Sequence, residues 1–503
     1  MEHEEQRPQR RSRQPKQVRG GLIAVGGLLL LAILVFLIVK LVQGPPDVTA
    51  GMKRPAPAAV ETLSPAPVTV HPAQEAGTEA PAASTDPVPA DTTGAATADS
   101  TAPENTPSAP PATTTPAKAE ATQTITANSL PEQLLLPLTM AGSWLKTEDR
   151  LYFAQPAEGK RVPEVTVDLM CVGDNLMHST VLKAGEKGDG TYDFHALYKY
   201  IKDEVQATDL ACINQETIFI NDPKEYTNYP IFGGPVDVGV AVADTGFDII
   251  TQATNHCYDK FSRGIRDTMA FWRQYPEICD VGIHDSAEDA EIIRVVECKG
   301  IRIAILNYTY GTNMGVPSDD WEIDFLDREK CAADIEKAKQ LSDIVLVFPH
   351  WGFENQFTPN AEQREWGQFF ADQGVGAIIG CHPHSLQPME ILTGVNGNKV
   401  PVFWSMGNFI SHMLGNQNML GGMARLTIAK DRWGAYISAT ELVPTMCYGT
   451  EASGKWEFYG MRLSDYTDEM AANHYVEHTS VQEMWDLFHE IIGSDADSSV
   501  WSN

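Results

Sequence analysis

Two short segments in the middle of the chain place histidines where folding alone rarely requires them. Residues 348–354 read FPHWGFE, and residues 380–384 read GCHPH. Each segment follows an apolar stretch that predicts a buried strand, residues 343–348 and 375–379. Open α/β sheets bind ligands at the carboxyl ends of strands, and two histidines separated by one extended proline can face the same cavity. Because neutral imidazole is a common metal ligand, the two segments indicate a metal site.

Three earlier apolar stretches, at residues 165–171, 209–213 and 247–252, also end in polar residues. The candidates at the five predicted strand ends are Asp174, Glu216, Asn255 with His256, His350, and His382 with His384. A single histidine at a strand end is more often an ordinary polar residue at the rim of a sheet, so the hypothesis rests on the whole set. Mixed oxygen and nitrogen donors suit a pair of divalent ions such as Mn, Zn or Fe.

Six motifs follow one another in a fixed order between residues 165 and 443. They are Gly-Asp, Asn-x-Glu, Asn-His-x-x-Asp, His-Trp-Gly-x-Glu, Gly-x-His-Pro-His and Ser-x-Gly-Asn-Phe. This order resembles the CapA family of capsule, or poly-gamma-glutamate, biosynthesis proteins. The resemblance implies a calcineurin-like metallophosphatase fold, which is a four-layer α/β/β/α sandwich with mixed sheets around a two-metal site.

The resemblance also implies a role for each motif residue. The metal ligands would be Asp174, Glu216, Asn255, His350, His382 and His384. Glu216 would be a bridging carboxylate, and His256, paired with Asp259, would be the acid or phosphate-facing group. His178 stays open between a ligand and a residue that supports one. Glu354 is expected to orient a ligand rather than to bind metal.

Three positions depart from the family pattern. Thr254 stands where many members have Asn, Cys381 where many have His, and Phe261 where Gly is common. As a thiolate, Cys381 would bind zinc, but a small buried thiol is the favoured interpretation because free cysteine is mostly a buried residue. Residues 405–409, which hold the last motif, are interpreted mainly as a tight turn that uses Gly407.

The first 128 residues predict attachment to a membrane. Residues 1–20 form a basic tail, and residues 21–43 are expected to be one transmembrane helix, whose first nineteen residues carry no charge. The basic tail predicts a cytoplasmic N-terminus and an extracellular C-terminal domain. Residues 44–128 are rich in Pro, Ala and Thr and predict a disordered stalk. The expected location is therefore the cell membrane, with a single pass.

The remaining chain predicts one large α/β domain at residues 165–450. A short extension at residues 129–164 precedes it, and a C-terminal helical extension at residues 451–503 follows. Predicted helices alternate with the strands at residues 236–245, 263–274, 331–341 and 361–373, and an amphipathic helix is expected at 481–492. Two β-rich stretches joined by Lys299-Gly300 predict a hairpin, so the sheets should be mixed.

Two function classes remain open. The formal net charge of -30 argues against a nucleic-acid surface. In the first class, the domain is a metal-dependent hydrolase of a phosphoester-type bond in capsule or poly-gamma-glutamate assembly or export. In the second, it is a non-catalytic metal-binding scaffold of a polymer synthase and export complex. Either class predicts an anionic cell-surface polymer, or the synthase and export subunits, as partners.

Overall fold

The described part of the chain comprises residues 143–147, 150–154, 163–476 and 479–493 of a computed structural model. The predicted basic tail, transmembrane helix and stalk, at residues 1–20, 21–43 and 44–128, lie outside these ranges. Within the described ranges, no helix has both the length and the apolar character that crossing a bilayer requires.

Strands and helices alternate through most of the described chain. In chain order the strands are β1 (Ser143–Thr147), β2 (Arg150–Ala154), β3 (Val165–Asn175), β4 (Leu210–Gln215), β5 (Ile249–Thr251), β6 (Cys279–Val281), β7 (Arg294–Cys298), β8 (Ile301–Thr309), β9 (Ile344–His350), β10 (Ala377–Ile379), β11 (Met389–Thr393), β12 (Lys399–Phe403), β13 (Asn408–Ile410), β14 (Leu420–Asp431), β15 (Gly434–Ala452) and β16 (Lys455–Arg462). The α-helices are α1 (Ser179–Gly185), α2 (Lys202–Ala207), α3 (Asp237–Thr245), α4 (Phe261–Trp272), α5 (Ala287–Ala290), α6 (Arg328–Leu341), α7 (Ala361–Asp372), α8 (Asn416–Met419), α9 (Asp468–Ala472) and α10 (Val481–Ile491).

The first sheet joins a parallel half to an antiparallel half. Among the described strands its order is β1-β2-β15-β14-β3-β4-β5-β6, with β13 beside β3 and β16 beside β15. Strands β3 to β6 are parallel. Strands β14, β15, β2 and β1 continue the sheet in antiparallel pairs. The carboxyl ends of β3, β4 and β5 therefore lie at one edge.

The second sheet has the described strand order β11-β12-β10-β9-β8-β7. Its four inner strands are parallel, and its two outer strands, β11 and β7, are antiparallel to their neighbours. Strands β7 and β8 are the predicted hairpin. Lys299 and Gly300 in its turn have φ angles of 51° and 77°, the left-handed conformation of a type I′ turn.

The two sheets pack face to face between outer layers of helices. Successive residues of β3 alternate, with Leu169 in the core between the sheets and Met170 in the core beneath the helices of the first sheet. Strand β8 alternates in the same way, because Ile303 faces the central core and Ala304 faces α6 and α7. The predicted mixed α/β/β/α sandwich is confirmed by these layers.

Segments on both sides of the predicted 165–450 domain continue the first sheet. In the predicted extension at 129–164, β1 pairs with β2 and β2 pairs with β15. The predicted boundary at residue 450 falls inside β15, because β15 and β16 form one hairpin around Ser453 and Gly454, both with positive φ. Beyond it, α10 buries Met484 and Phe488 in the central core. The structural domain therefore extends past residue 450.

Candidate metal centre

The predicted ligands converge where the carboxyl edges of the two sheets meet. Asp174 lies near the end of β3, Glu216 directly follows β4, and His350 ends β9. His382 and His384 follow β10. Each of these residues is at most 3% exposed. The structure thus gathers five of the six predicted ligands in one buried cluster drawn from both sheets.

Two groups of three candidate ligands share one carboxylate. Glu216, His350 and His382 form the first group, and Asp174, Glu216 and His384 form the second. Within each group, one donor atom per residue lies within 4.8 Å of the others. Glu216 Oε1 lies 3.8 Å from His350 Nε2 and 3.6 Å from His384 Nε2. Glu216 therefore occupies a position from which a carboxylate can bridge two ions.

Four possible donor atoms of the first group lack protein partners. Both carboxylate oxygens of Glu216 and the Nδ1 atoms of His350 and His382 are buried without a hydrogen-bond partner. Such an atom costs about 1–3 kcal/mol, which a bound cation would offset. Burial holds the pKa of His350 and of His382 well below its usual range, so both rings are in the neutral form that binds metal. The residues present therefore fit divalent cations.

The other two members of the second group, Asp174 and His384, are already hydrogen-bonded within the protein. Asp174 Oδ2 and Asn408 Oδ1 each lie 3.0 Å from His384 Nδ1, and Asn214 donates to Asp174 Oδ1 over 2.9 Å. Burial opposes the charge of His384, but the carboxylates of Glu216 and Asp174 outweigh burial and raise its pKa to about 10. These contacts hold the ring with Nε2 on the side of Glu216.

Asn255 packs against the first ligand group. Its Oδ1 accepts a hydrogen bond from His350 Nε2 over 2.8 Å, and its main-chain oxygen accepts one from the Asn313 amide, also over 2.8 Å. Asn255 is only 2% exposed. The structure therefore places the sixth predicted ligand in the cluster, where its amide oxygen contacts a ligand histidine.

His256 and Asp259 form a pair beside the ligands. His256 Nδ1 donates to Asp259 Oδ2 over 2.7 Å, and the same oxygen accepts the main-chain N–H of Phe232 over 2.7 Å. The Phe232 ring meets the imidazole edge to face, with centroids 4.6 Å apart. Asp259 and Phe232 thus fix the ring orientation, and Nε2 is the nitrogen left for chemistry.

The two predicted supporting residues lie at the margin of the cluster. His178 Nδ1 accepts the main-chain N–H of His412 over 3.1 Å. Burial is the largest cause that lowers the pKa of His178 to about 3. Glu354 is exposed, because the chain leaves β9 through a turn with Gly352 at φ 92°. In the described chain its carboxylate makes no hydrogen bond to a histidine of either group.

Two departures from the family pattern have structural roles. Burial, followed by the charge of Asp174, raises the pKa of the Cys381 thiol well above its usual range. Cys381 therefore stays protonated, in agreement with the buried-thiol interpretation. Thr254 Oγ1 donates to the main-chain oxygen of Glu216 over 2.8 Å. Its hydroxyl thereby ties the loop after β5 to the residue shared by both groups.

The GCHPH segment brings its two rings together through a strained backbone. His382 and His384 have φ angles of 99° and 54°, a range that costs a residue with a side chain about 1–2 kcal/mol. Their ring centroids lie 5.9 Å apart. The expected extended proline is therefore only part of the explanation, because both flanking histidines adopt conformations that favour glycine.

Residues 405–409 do more than form the predicted turn. Gly407, at φ 61°, accepts the main-chain N–H of Asp174 over 2.9 Å. A Cβ added to Gly173 would lie 2.0 Å from the same Gly407 oxygen, so only glycine permits this approach. The next residue, Asn408, reaches His384. The mainly structural interpretation of this motif was therefore incomplete.

Sequence reasoning missed three neutral residues of the site. Asn214 and Asn408 lie inside two of the quoted motifs, so the motifs themselves carried the signal. Tyr310 directly follows β8, and its ring centroid lies 4.7 Å from that of His382. Because residues at the carboxyl ends of the strands line the site, the position of Tyr310 directly after β8 would also have predicted it.

Comparison with known proteins finds sequence relatives of this chain. Residues 168–413 match the family model described as bacterial capsule synthesis protein PGA_cap. The matched domain belongs to the CapA family. A CapA relative, the PGA biosynthesis protein CapA of Bacillus subtilis (strain 168), is 29% identical over 271 residues, which cover 51% of this chain and 67% of the relative. The capsule biosynthesis protein CapA of Bacillus anthracis is 24% identical over 288 residues, which cover 55% and 66%.

Solved structures similar to this chain are more distant. A calcineurin-like phosphoesterase, YfkN from Bacillus subtilis, is 13% identical with a TM-score of 0.35, covering 65% of this chain and 98% of that chain. A putative 5'-nucleotidase from Staphylococcus aureus is 15% identical with the same TM-score, covering 56% and 54%.

Proposed function

We propose that this CapA-family domain binds two divalent metal ions and hydrolyses a phosphoester-type bond during the assembly or export of a capsule or poly-gamma-glutamate. The observation that carries the proposal is Glu216, a fully buried carboxylate without a hydrogen-bond partner, which belongs to both ligand groups. Folding alone gives no reason to bury such a group, since its desolvation is unfavourable. Mn, Zn or Fe would suit the mixed oxygen and nitrogen donors.

The residues of the site would divide the chemistry between them. The two groups sharing Glu216 would hold the ions, which when bound supply Lewis-acid polarisation of a phosphoryl oxygen and activation of water. His256 would donate a proton from Nε2 to the leaving oxygen. Asp259 would keep the His256 ring in place through the 2.7 Å bond at Nδ1.

The setting of this chemistry is also part of the proposal. The sequence pattern supports an extracellular domain that residues 21–43 anchor to the cell membrane and residues 44–128 hold at a distance from it. The names of the two relatives, PGA biosynthesis and capsule biosynthesis protein, support an anionic polymer or its synthase and export subunits as partners. A protein with a net charge of -30 would repel such a polymer unless cations lie in the site.

The test compares two substitutions in the full-length protein. His382→Ala removes a member of a ligand group, whereas His256→Asn removes the proposed acid only. We expect close to two metal equivalents in the wild type and in His256→Asn, and fewer in His382→Ala. Phosphodiester turnover should fall about 10²- to 10⁴-fold in His256→Asn. His195→Asn is the matched control, because His195 also pairs with an aspartate over 2.7 Å but is exposed outside the site.

Two results would overturn the proposal. Elemental analysis that finds no Mn, Zn or Fe after growth with these metals and purification without chelator would exclude the metal centre. Bound metal without turnover of any phosphomonoester or phosphodiester, together with normal surface polymer in cells that carry only His256→Asn, would identify a metal-binding scaffold instead of a hydrolase.

A further inference from the structure

A cleft beside the His256–Asp259 pair gathers positive charge in an otherwise acidic protein. It has a volume of about 520 Å³ and lies between the loop that contains Glu225 and Ile231 and the start of α4, with Asp259 in its lining. Its cationic lining residues are Lys260, Arg263 and Arg266. Neither ligand group includes any residue of this cleft, so its charge is not needed to hold a metal.

Lys260 is built into the wall of the cleft. A Cβ added to Gly233 would lie 2.4 Å from Lys260 Cε, and one added to Gly264 would lie 2.7 Å from Lys260 Cβ. The two glycines therefore leave room for the lysine stem. Burial lowers the pKa of Lys260 although Glu225 and Asp259 act in the opposite direction. No hydrogen bond or ion pair to its ammonium group is present among the described residues.

Lys260 directly precedes α4, and Arg263 and Arg266 follow at intervals of three residues in its first two turns. At a rise of about 1.5 Å per residue, Arg263 and Arg266 are about 4.5 Å apart along the helix axis. Arg263 is engaged by Glu225 over 2.7 Å and lies 3.8 Å from Asp267. Arg266 is exposed and, like Lys260, makes no ion pair within the described chain. Such a row suits several anionic groups in succession better than one compact anion.

Phe261 adds an apolar surface between these cations. It has φ 54° and is 53% exposed, a conformation that a bulky residue rarely adopts. Strain of this kind concentrates at functional sites. Ile231 and Met314 also line the cleft. The cleft therefore alternates apolar surface with positive charge.

The far side of the cleft adjoins the metal centre. Met314 follows Asn313, whose side-chain nitrogen lies 3.4 Å from both ring nitrogens of His256. The main-chain N–H of Asn313 donates to Asn255. A chain lying in the cleft would therefore be one side chain away from both His256 and the ligand cluster.

We propose that the cleft bounded by Lys260, Phe261 and Arg266 binds successive carboxylates of an extended acidic chain whose neighbouring segment enters the metal centre. Methylene groups between those carboxylates would contact Phe261. The proposal rests on the proposed function for the presence of such a chain, and it adds the groups by which the chain is recognised.

The experiment measures binding of fluorescent oligomers to full-length protein treated with EDTA. The probes are γ-linked glutamate oligomers of two and six residues, and the hexamer with its side carboxyl groups amidated. We expect the free-acid hexamer to bind more tightly than either other probe. Lys260→Met and Arg266→Gln should each weaken hexamer binding about tenfold. Phe261→Asn places a residue that tolerates positive φ at this position. It should weaken hexamer binding, but the salt dependence of binding should not fall, because no positive charge is removed.

Lys455→Gln is the control, because it removes one positive charge from the exposed β15–β16 hairpin. Equal binding of the amidated and free-acid hexamers would overturn the proposal, and so would a Lys260→Met, Arg266→Gln double variant within twofold of the control. Displacement by inorganic phosphate as effective as that by the dipeptide would also overturn it, since it would indicate a site for one oxyanion. The binding assay needs neither metal nor turnover. Its result would therefore test the cleft even if the protein proved not to be a hydrolase.

Discussion

Replacement of Glu216 by glutamine should shift stability in opposite directions with and without metal. In the metal-free protein the Glu216 carboxylate is buried and both of its oxygens lack partners, and burial raises its pKa well above the usual range. Glutamine has nearly the same shape and no charge to desolvate. Burial outweighs the attraction of His384 for the Glu216 charge, and burying a polar group without full compensation costs about 1–3 kcal/mol. We therefore expect the metal-free variant to be more stable than the wild type by about 1–3 kcal/mol.

With metal bound, the wild type should be more stable than Glu216→Gln. A ligand that binds only the folded state at 100 times its Kd adds about 2.7 kcal/mol of stability. Loss of Glu216 removes the carboxylate common to both groups, so both ions lose a ligand. The wild type should therefore gain stability on addition of Mn or Zn, and the variant should gain little.

Urea unfolding in EDTA, and again with Mn or Zn in excess, measures both differences. Glu354→Gln is the matched control, because it removes an exposed carboxylate near the same site and should change neither value by more than about 0.5 kcal/mol. A metal-free wild type as stable as, or more stable than, Glu216→Gln would refute the reasoning, since the buried carboxylate would then have a partner.

Two further predictions concern residues outside the ligand groups. Gly173→Ala should destabilise the protein by about 2–4 kcal/mol in urea unfolding and lower its metal content. The reason is that the new Cβ would lie 2.0 Å from the Gly407 oxygen. An unchanged midpoint of urea unfolding would contradict this prediction. Burial opposes the charge of His284, yet hydrogen bonds to Asp289 and Asp324 raise its pKa from 6.5 to about 9. Protonated His284 therefore adds about 3 kcal/mol to the free energy of unfolding. This contribution is complete below pH 6.5 and is lost as the pH rises to about 9. His284→Asn should flatten the dependence of urea stability on pH over that range.

The position of the site could be predicted because local rules determine it. A polar residue at the end of an apolar strand lies at the sheet edge, and this rule predicts that Asp174, Glu216 and His350 lie there, as they do in the structure. The β7–β8 hairpin was predictable for the same reason, since Lys299-Gly300 suits two successive positive φ angles. Such features depend on residues adjacent in sequence.

Features that depend on distant pairing could not be predicted. The pairing of β2 with β15 joins segments almost 300 residues apart, and no local pattern specifies that partner. The start of α4 was predicted at residue 263, but the helix begins at Phe261, whose positive φ conflicts with its own preference. The sequence predicts Asn408 only as part of a turn, because its contact with His384 depends on the two sheets packing together.

Both ligand groups draw on the two sheets at once. Asp174 and Glu216 lie at the ends of strands of the first sheet, whereas His350, His382 and His384 lie at the ends of strands of the second. An ion held there would cross-link the sheets, and linkage requires the effect to be reciprocal. Any change that alters the spacing of the sheets must then alter metal affinity by the same free energy that the ion contributes to holding them together. Buried residues far from every ligand, such as Leu346 in the central core, would thereby help to set the metal concentration at which the site fills.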